Sequence, residues 1–244
     1  MARRFIVRGE DIKINDRNIS VIGIELHHIN VLRHKVGDII QINEYEIKIN
    51  RISETELLGE IIQEAKKTGE PNSNITLYQS YLKSDKMELV VQKAVELGVG
   101  NIQPFLSQNC VVKLNEKDKI KKAERLNKIS QEASKQCGRT DIVTVGDITT
   151  ISSDSFKKSI QDNDIVIFAY EKSDNDLREV LKGYDKNMIS KIGIIIGSEG
   201  GFDEKDVREI RKYTNIQEVS LGERILRAET ASIYLLSIIN YIMG

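Results

Sequence analysis

The sequence predicts an α/β protein in which a mostly parallel sheet with covering helices follows a small β-barrel domain. Three observations predict it. Residues 3–65 alternate apolar and polar residues in short runs, the pattern of a small antiparallel barrel. Beyond a polar segment at 65–74, apolar strand-like runs alternate with helical periods, which implies a parallel layer. Near the C-terminus two glycine clusters, Ile196-Gly-Ser-Glu-Gly-Gly-Phe202 and Ser220-Leu-Gly-Glu-Arg-Ile-Leu-Arg-Ala-Glu-Thr230, each follow a run that reads as a buried strand and lead into a helix. Glycine at the carboxyl ends of strands lets a ligand approach main-chain N–H and C=O groups closely.

In chain order, Phe5–Val7, Asp38–Asn43, Tyr45–Ile52 and Glu56–Ile62 are the expected strands of the first domain, interrupted by a short helix around His27–Arg33. Ala65–Asn74 is polar, holds one of the 2 prolines and reads as a linker, so the expected domains are 1–70 and 71–244. Ile75–Leu82 is expected as a strand. Ser84 or Asp85 then caps a helix with Leu89, Val90, the Lys93 stem, Ala94 and Leu97 on one face and Gly98 as its stop. Ile102–Leu106 is the next strand, followed by a long basic helix to Gln136. Asp164–Ala169, apolar after its first residue, and Ile192–Ile196 read as parallel strands buried on both faces. Asp203 and Asp206 open a helix in a capping-box pattern. From Ala228 the chain is an almost wholly apolar helix, fit for deep core or a subunit interface.

Composition narrows the function classes. The 244 residues are 40% hydrophobic and 30% charged, ordinary for a soluble globular protein. No apolar run reaches the roughly 18 residues of a membrane-spanning helix. Met1–Val7 reads as a first strand and not as a signal peptide. Cys110 and Cys137 have no metal-type spacing, so a reducing cytoplasm is expected. The three histidines, 27, 28 and 34, lack ligand-spaced partners and are expected at the surface, with no metal. Net charge is −1, unlike most nucleic-acid binders. From Val111 to Arg139, however, nine Lys/Arg face four acids, so 9 − 4 = +5. A basic face survives inside a neutral protein.

Gly197-Ser-Glu-Gly-Gly201 has the wrong order and the wrong place in the chain for a dinucleotide fingerprint, and no Gly-Lys-Ser/Thr follows to make a phosphate loop. A nicotinamide oxidoreductase is therefore disfavoured. In the second cluster Arg224, Arg227 and Glu229 stand between a strand and an apolar helix. Charges there must be paired with one another or used, and both readings stay open. With Phe168-Ala-Tyr-Glu171 at the end of the preceding strand, three loops converge on one place.

These segments resemble the signature loops of the RsmE family of 16S rRNA uridine-N3 methyltransferases, within the SPOUT superfamily of knotted AdoMet-dependent enzymes. The likeness extends to Val31-Leu-Arg33 with Gly37-Asp38, to Gln92–Gly98 and to Glu132–Arg139, in order along the chain. Ser198 and Glu223 stand where proline is frequent in that family, and Cys137 where serine is. The resemblance implies a PUA-like β-barrel at the N-terminus and a SPOUT-type parallel sheet tied in a C-terminal trefoil knot; no periodicity reveals a knot. It implies an S-adenosyl-L-methionine pocket at Gly197, Gly200, Gly201, Leu221, Gly222, Ile225 and Leu226, to which we add Phe168, Glu171, Ser198, Glu199 and Arg224. It implies a homodimer through the last helix, with 16S rRNA of the small ribosomal subunit as partner.

Methylating N3 of uridine requires loss of the N3 proton and a donor or cation near the flanking carbonyl oxygens. Arg139 is the expected cation with Arg227 behind it, and Glu132 or Glu199 is the expected proton acceptor. Arg3, Arg4, Arg33, Lys83, Lys135 and Arg139 are expected to touch RNA, positioning it through its phosphates. Cys137 is expected to be a packing residue, because N3 needs no covalent activation. Two alternatives remain: a knotted methyltransferase acting on another rRNA atom, and a non-catalytic RNA-binding ribosome-assembly factor.

Overall fold

The computed structural model describes residues 4–7, 9–65, 70, 73–184 and 188–243. The chain divides into two compact units, residues 1–70 with 135–141, and residues 71–134 with 142–244. Arg3 and most of the expected linker (66–69, 71 and 72) lie outside the described residues.

The first unit contains β1 (Arg4–Phe5), β2 (Ile12–Asn15), β3 (Asn18–Val21), α1 (Gly23–Val31), β4 (Ile39–Ile42), β5 (Tyr45–Ile52) and β6 (Leu57–Glu64). Its sheet runs β1-β4-β5-β6-β3-β2, antiparallel except for the β1–β4 pair. Alternation places Ile19, Val21, Ile40, Ile42, Ile47 and Ile49 in one core, closed by Leu26 and Ile29 of α1. The short hairpin β2–β3 was not expected from the sequence, and His34 falls beyond α1, with its Nδ1 3.2 Å from Asp38 Oδ2.

The second unit contains β7 (Asn74–Ser80), α2 (Ser84–Glu96), β8 (Asn101–Leu106), α3 (Glu116–Cys137, its last turn belonging to the first unit), β9 (Thr144–Val145), β10 (Thr149–Thr150), α4 (Asp154–Gln161), β11 (Ile165–Ala169), α5 (Leu177–Lys182), β12 (Lys191–Ile196), α6 (Glu204–Ile210), β13 (Ile216–Val219) and α7 (Ala228–Met243). All seven strands pair in parallel, in the order β10-β8-β7-β12-β11-β13 with β9 beside β8. β11 and β12 are buried on both faces, as their unbroken apolar runs require. β13 is an edge strand and only partly buried, less than the sequence suggested.

Two local expectations shift. Lys83 occupies the N-cap position of α2, so Ser84 is already helical. The buried face of that helix is Met87, Val90, Val91, Ala94 and Val95, whereas Leu89 is 39% exposed. The helix is rotated about one position from the expected stripe. At α6 the capping box is present as the spacing predicts: Asp203 accepts from the N3 backbone and Asp206 reaches back to the cap.

Candidate active site

Sheet order decides where the glycine clusters meet. β11 lies between β12 and β13, so the loops leaving these three neighbours open at one edge of the sheet. Together they wall a cavity of about 680 Å³, completed by Lys86 from α2 and by Ala228 and Ala231 from α7. A volume of this size suits a cofactor or drug-sized ligand.

The first loop is built around close approach. A Cβ on Gly197 would stand 2.9 Å from the Phe202 ring, and one on Gly200 would stand 3.0 Å from the Asn109 carbonyl oxygen. Phe202 cannot yield easily, because it stacks on Phe105 and meets Phe168 edge-on at 4.9 Å. Gly201 adopts φ 65°, in the left-handed region that favours glycine. Hydrogen bonds fix the rest. Gln79 Nε2 donates to Gly197 O at 3.2 Å, Asn109 Nδ2 donates to Gly200 O at 3.0 Å, and Gly201 N donates to Ser198 O at 3.0 Å. Ser198, where the family pattern favours proline, is buried and donates through Oγ to Asn109 O at 3.2 Å. A hydrogen bond thus restrains a backbone that a ring would otherwise stiffen.

Downstream, Asp206 accepts from Gln108 N at 2.9 Å and from Asp203 N at 3.4 Å. Burial raises its pKa above the usual carboxylate value, those two backbone donors opposing the shift and the charge of Asp203 adding to it.

The second loop is held differently. Ser220 N donates to Asn175 O at 2.8 Å, and Ser220 Oγ accepts from Gly222 N at 3.3 Å. Gly222 has φ 106° with open space around its Cα. Among the described residues no hydrogen bond holds 223–226, and Ile225 is 80% exposed. Arg224 and Arg227 line the cavity, are exposed and make no ion pair among the described residues. The pairing of Arg227 with Glu229 does not occur: Glu229 faces Lys86, with Oε2 3.7 Å from Nζ.

The family profile of the RNA methyltransferase domain matches residues 69–240. Ribosomal RNA small subunit methyltransferase E of Bacillus subtilis is 33% identical over 91% of this chain and 89% of its own length. The chain belongs to the ribosomal RNA small subunit methyltransferase E family. The enzyme of that name from Mesomycoplasma hyopneumoniae is 32% identical over 88% of this chain and 90% of its own length. The crystal structure of the Neisseria gonorrhoeae family member bound to S-adenosyl methionine superposes with a TM-score of 0.80 at 25% identity, covering 100% of this chain and 99% of that one.

Within this member of the family, the cavity gathers Glu171, Gly197, Ser198, Glu199, Gly200 and Gly201 with Leu221, Gly222, Arg224, Ile225, Leu226 and Arg227. Phe168 is not on its wall. The residue is fully buried on a strand covered on both faces and packs beneath Phe202 and Tyr170, the two aromatics that reach the cavity.

Arg139 is likewise not on the wall. It is 4% exposed in the first unit, with its Nη2 2.5 Å from Glu70 Oε2. Glu70 also accepts from Thr140 N and Asp141 N at 2.8 and 3.0 Å. Burial pushes the Glu70 pKa up, but the hydrogen bonds from Arg139, Asp141 and Thr140 outweigh it, and the net shift is downward. Arg4 donates to the carbonyl oxygens of Arg139 and Thr140, and Lys135 pairs with Glu25 at 2.5 Å. Thus Arg4, Lys135 and Arg139 hold the chain segment 135–141 within the first unit. Glu132 is exposed on α3, Arg33 is exposed with φ 59°, and the Lys83 side chain is exposed while its N–H donates to Glu199 at 3.3 Å; none of the three lines the cavity.

Sequence reasoning missed Lys86 and Ala231. Lys86 sits in an ordinary polar first turn of α2, and only the fold brings it beside the glycine loop. No group of three or more His, Cys, Asp or Glu among the described residues is arranged to hold a metal ion.

Proposed function

We propose that this chain methylates N3 of a uridine in 16S rRNA of the small ribosomal subunit, using S-adenosyl-L-methionine, in the cytoplasm. The carrying observation is the three-loop cavity. Its wall is main chain at Gly197, Gly200, Gly201 and Gly222, where an adenosine-sized ligand can meet backbone donors and acceptors without side chains intervening. Leu221, Ile225 and Leu226 supply apolar surface, and Ser198, Glu199, Glu171 and Arg224 the polar edge. The family member from Neisseria gonorrhoeae carries S-adenosyl methionine. When bound, the cofactor supplies an electrophilic methyl group on sulfur.

The chain's own residues do the rest. Base pairing hides N3, so the uridine enters unpaired or extruded. Glu199, whose side chain is 20% exposed on the cavity wall, is placed to accept the N3 proton. Arg227, exposed on the same cavity wall, meets the RNA. The exposed lysines 117, 121 and 128 of α3 in the second unit, with Lys83, and Arg33 in the first, supply phosphate contacts.

We further place the first unit with PUA-like barrels and the second with trefoil-knotted SPOUT domains. Support for the knot lies in the path of the chain. The segment after β11 pairs with Ser220 at Asp176, beyond the edge strand, before the chain returns to the interior strand β12, and α7 then packs on α2 and β12. The exposed apolar stripe on α7, Tyr234, Tyr241 and Ile242, supports a homodimer.

Incubating the protein with labelled S-adenosyl-L-methionine and unmodified small subunits, followed by nucleoside mass analysis, tests the reading. One 3-methyluridine per subunit is the expected product. A methyl group on any other atom, or none, sinks it.

A further inference from the structure

The geometry points to Lys86, held between Glu199 and Glu229 on the cavity wall, as the cation that stabilises the uracil anion formed when N3 loses its proton. This rests on the N3 reading above.

Three observations carry it. The first is place. Lys86 lines the cavity from the first turn of α2, with its side chain 27% exposed, whereas Arg224 and Arg227 are exposed. A charge on a partly desolvated wall acts more strongly on a neighbouring oxygen than one in open water.

The second is how loosely the ammonium is held. Its nitrogen is 3.6 Å from Glu199 and 3.7 Å from Glu229, beyond the ~2.7–2.9 Å of a charge-assisted hydrogen bond. Several lysines of the same unit close on their partners, Lys93 on Glu96 at 2.8 Å, Lys119 on Glu116 at 2.7 Å and Lys182 on Glu179 at 2.7 Å, although the exposed Lys157 also stands off, 3.7 Å from Asp154. Two carboxylates flank the ammonium, yet neither takes its N–H donors.

The third is Glu229 itself. Its side chain is 13% exposed, and Oε2 is buried with no hydrogen-bond partner. Such an oxygen is costly to leave alone. Its return is electrostatic: it faces the Lys86 ammonium at 3.7 Å and holds that cation at the cavity wall.

The step balances as follows. The N3–H bond breaks, the proton passes to the Glu199 carboxylate, and the electron pair spreads from N3 onto the two flanking carbonyl oxygens. Lys86 donates to one of those oxygens. The new N3–carbon bond forms as the methyl–sulfur bond breaks, that bond's electrons remain on sulfur, and Glu199 returns its proton to solvent.

The experiment compares K86M and K86R with wild type on small subunits, reading 3-methyluridine formation against pH and, separately, S-adenosyl-L-methionine affinity by calorimetry. Loss of one such charge stabiliser predicts a rate about 10²-fold lower for K86M. Its rate should climb with pH through the range where the wild-type rate is flat, because without the cation N3 is a weaker acid and its anion forms only at higher pH. K86R should keep the wild-type profile. Cofactor affinity of K86M should stay within about threefold of wild type, so that the loss lies in the reaction and not in binding. K86Q takes the same test should the methionine variant unfold.

A K86M rate and pH profile like those of wild type would overturn the assignment. So would a cofactor affinity that falls in step with rate, which would move the lysine to the cofactor. Wild-type protein that forms no 3-methyluridine at all would remove the N3 reading and this role with it; product from wild type with an indifferent K86M removes this role alone.

Discussion

The two glycine loops of the cavity use the same residue for opposite ends. In the first, Gly197 and Gly200 are glycines because a Cβ would strike Phe202 or Asn109. Hydrogen bonds from Gln79, Asn109 and Ser198 then fix the wall before any ligand arrives. In the second, Gly222 is a glycine because of its φ of 106°, and among the described residues nothing stands within reach of a Cβ there and no hydrogen bond holds 223–226. One wall is finished by the fold. The other is left for what binds there to finish, which places the adaptable half of the pocket on an edge strand and the rigid half on interior strands.

The largest test of this contrast is Gly197→Val. Overpacking against a ring locked by Phe105 and Phe168 should cost about 3 kcal/mol of stability, seen in denaturant unfolding, with cofactor binding lost alongside. A variant that folds and binds as wild type does would show that the first wall is not prebuilt. Gly222→Ala should cost about 1–2 kcal/mol of backbone strain, appearing mainly as roughly tenfold weaker cofactor affinity in calorimetry, with the melting transition little moved. Equal losses of stability at both positions would erase the distinction. Ser198→Ala removes one hydrogen bond from the rigid wall, and about 1 kcal/mol should be lost in unfolding.

The smallest effect is read by pH. The folded-state pKa of Asp206 is raised by burial, so below that raised value the folded protein holds a proton that the unfolded chain has released. Stability contributed by this site therefore increases as pH falls through the window and decreases as pH rises. Denaturant midpoints of wild type and Asp206→Asn, compared at about pH 4 and pH 7, should favour wild type more at the lower pH. An opposite slope would mean that the hydrogen-bond donors outweigh burial, as Arg139 together with the backbone donors does at Glu70.

Local chemistry made much of this legible in advance. Unbroken apolar runs marked β11 and β12, alternation marked β5, and the Asp203–Asp206 spacing marked the capped start of α6. Both glycine clusters could be assigned to one site because strand ends are where parallel sheets open. What was illegible depends on partners far away in sequence. Arg139 reads as an available cation until Glu70 is seen beside it, 69 positions away. Lys86 reads as a solvated helix residue until β12 delivers Glu199 to it. Phe168 could not be sorted by alternation, since its strand has no solvent face. The strands β9 and β10 are two residues each, too short for any period to register.

The clamp on residues 135–141 has a consequence for how the protein is made. The first unit gathers residues 1–70 but is completed by Arg139, Thr140 and Lys135, which bind Glu70, Arg4 and Glu25. A ribosome emitting this chain therefore cannot release a finished N-terminal module at residue 70. The nascent sheet must wait, with Glu70 lacking its donors, until residues 71–134 of the second unit have also emerged. An expression fragment cut at the apparent linker would stop the chain at that same unfinished point, however well its strands pair.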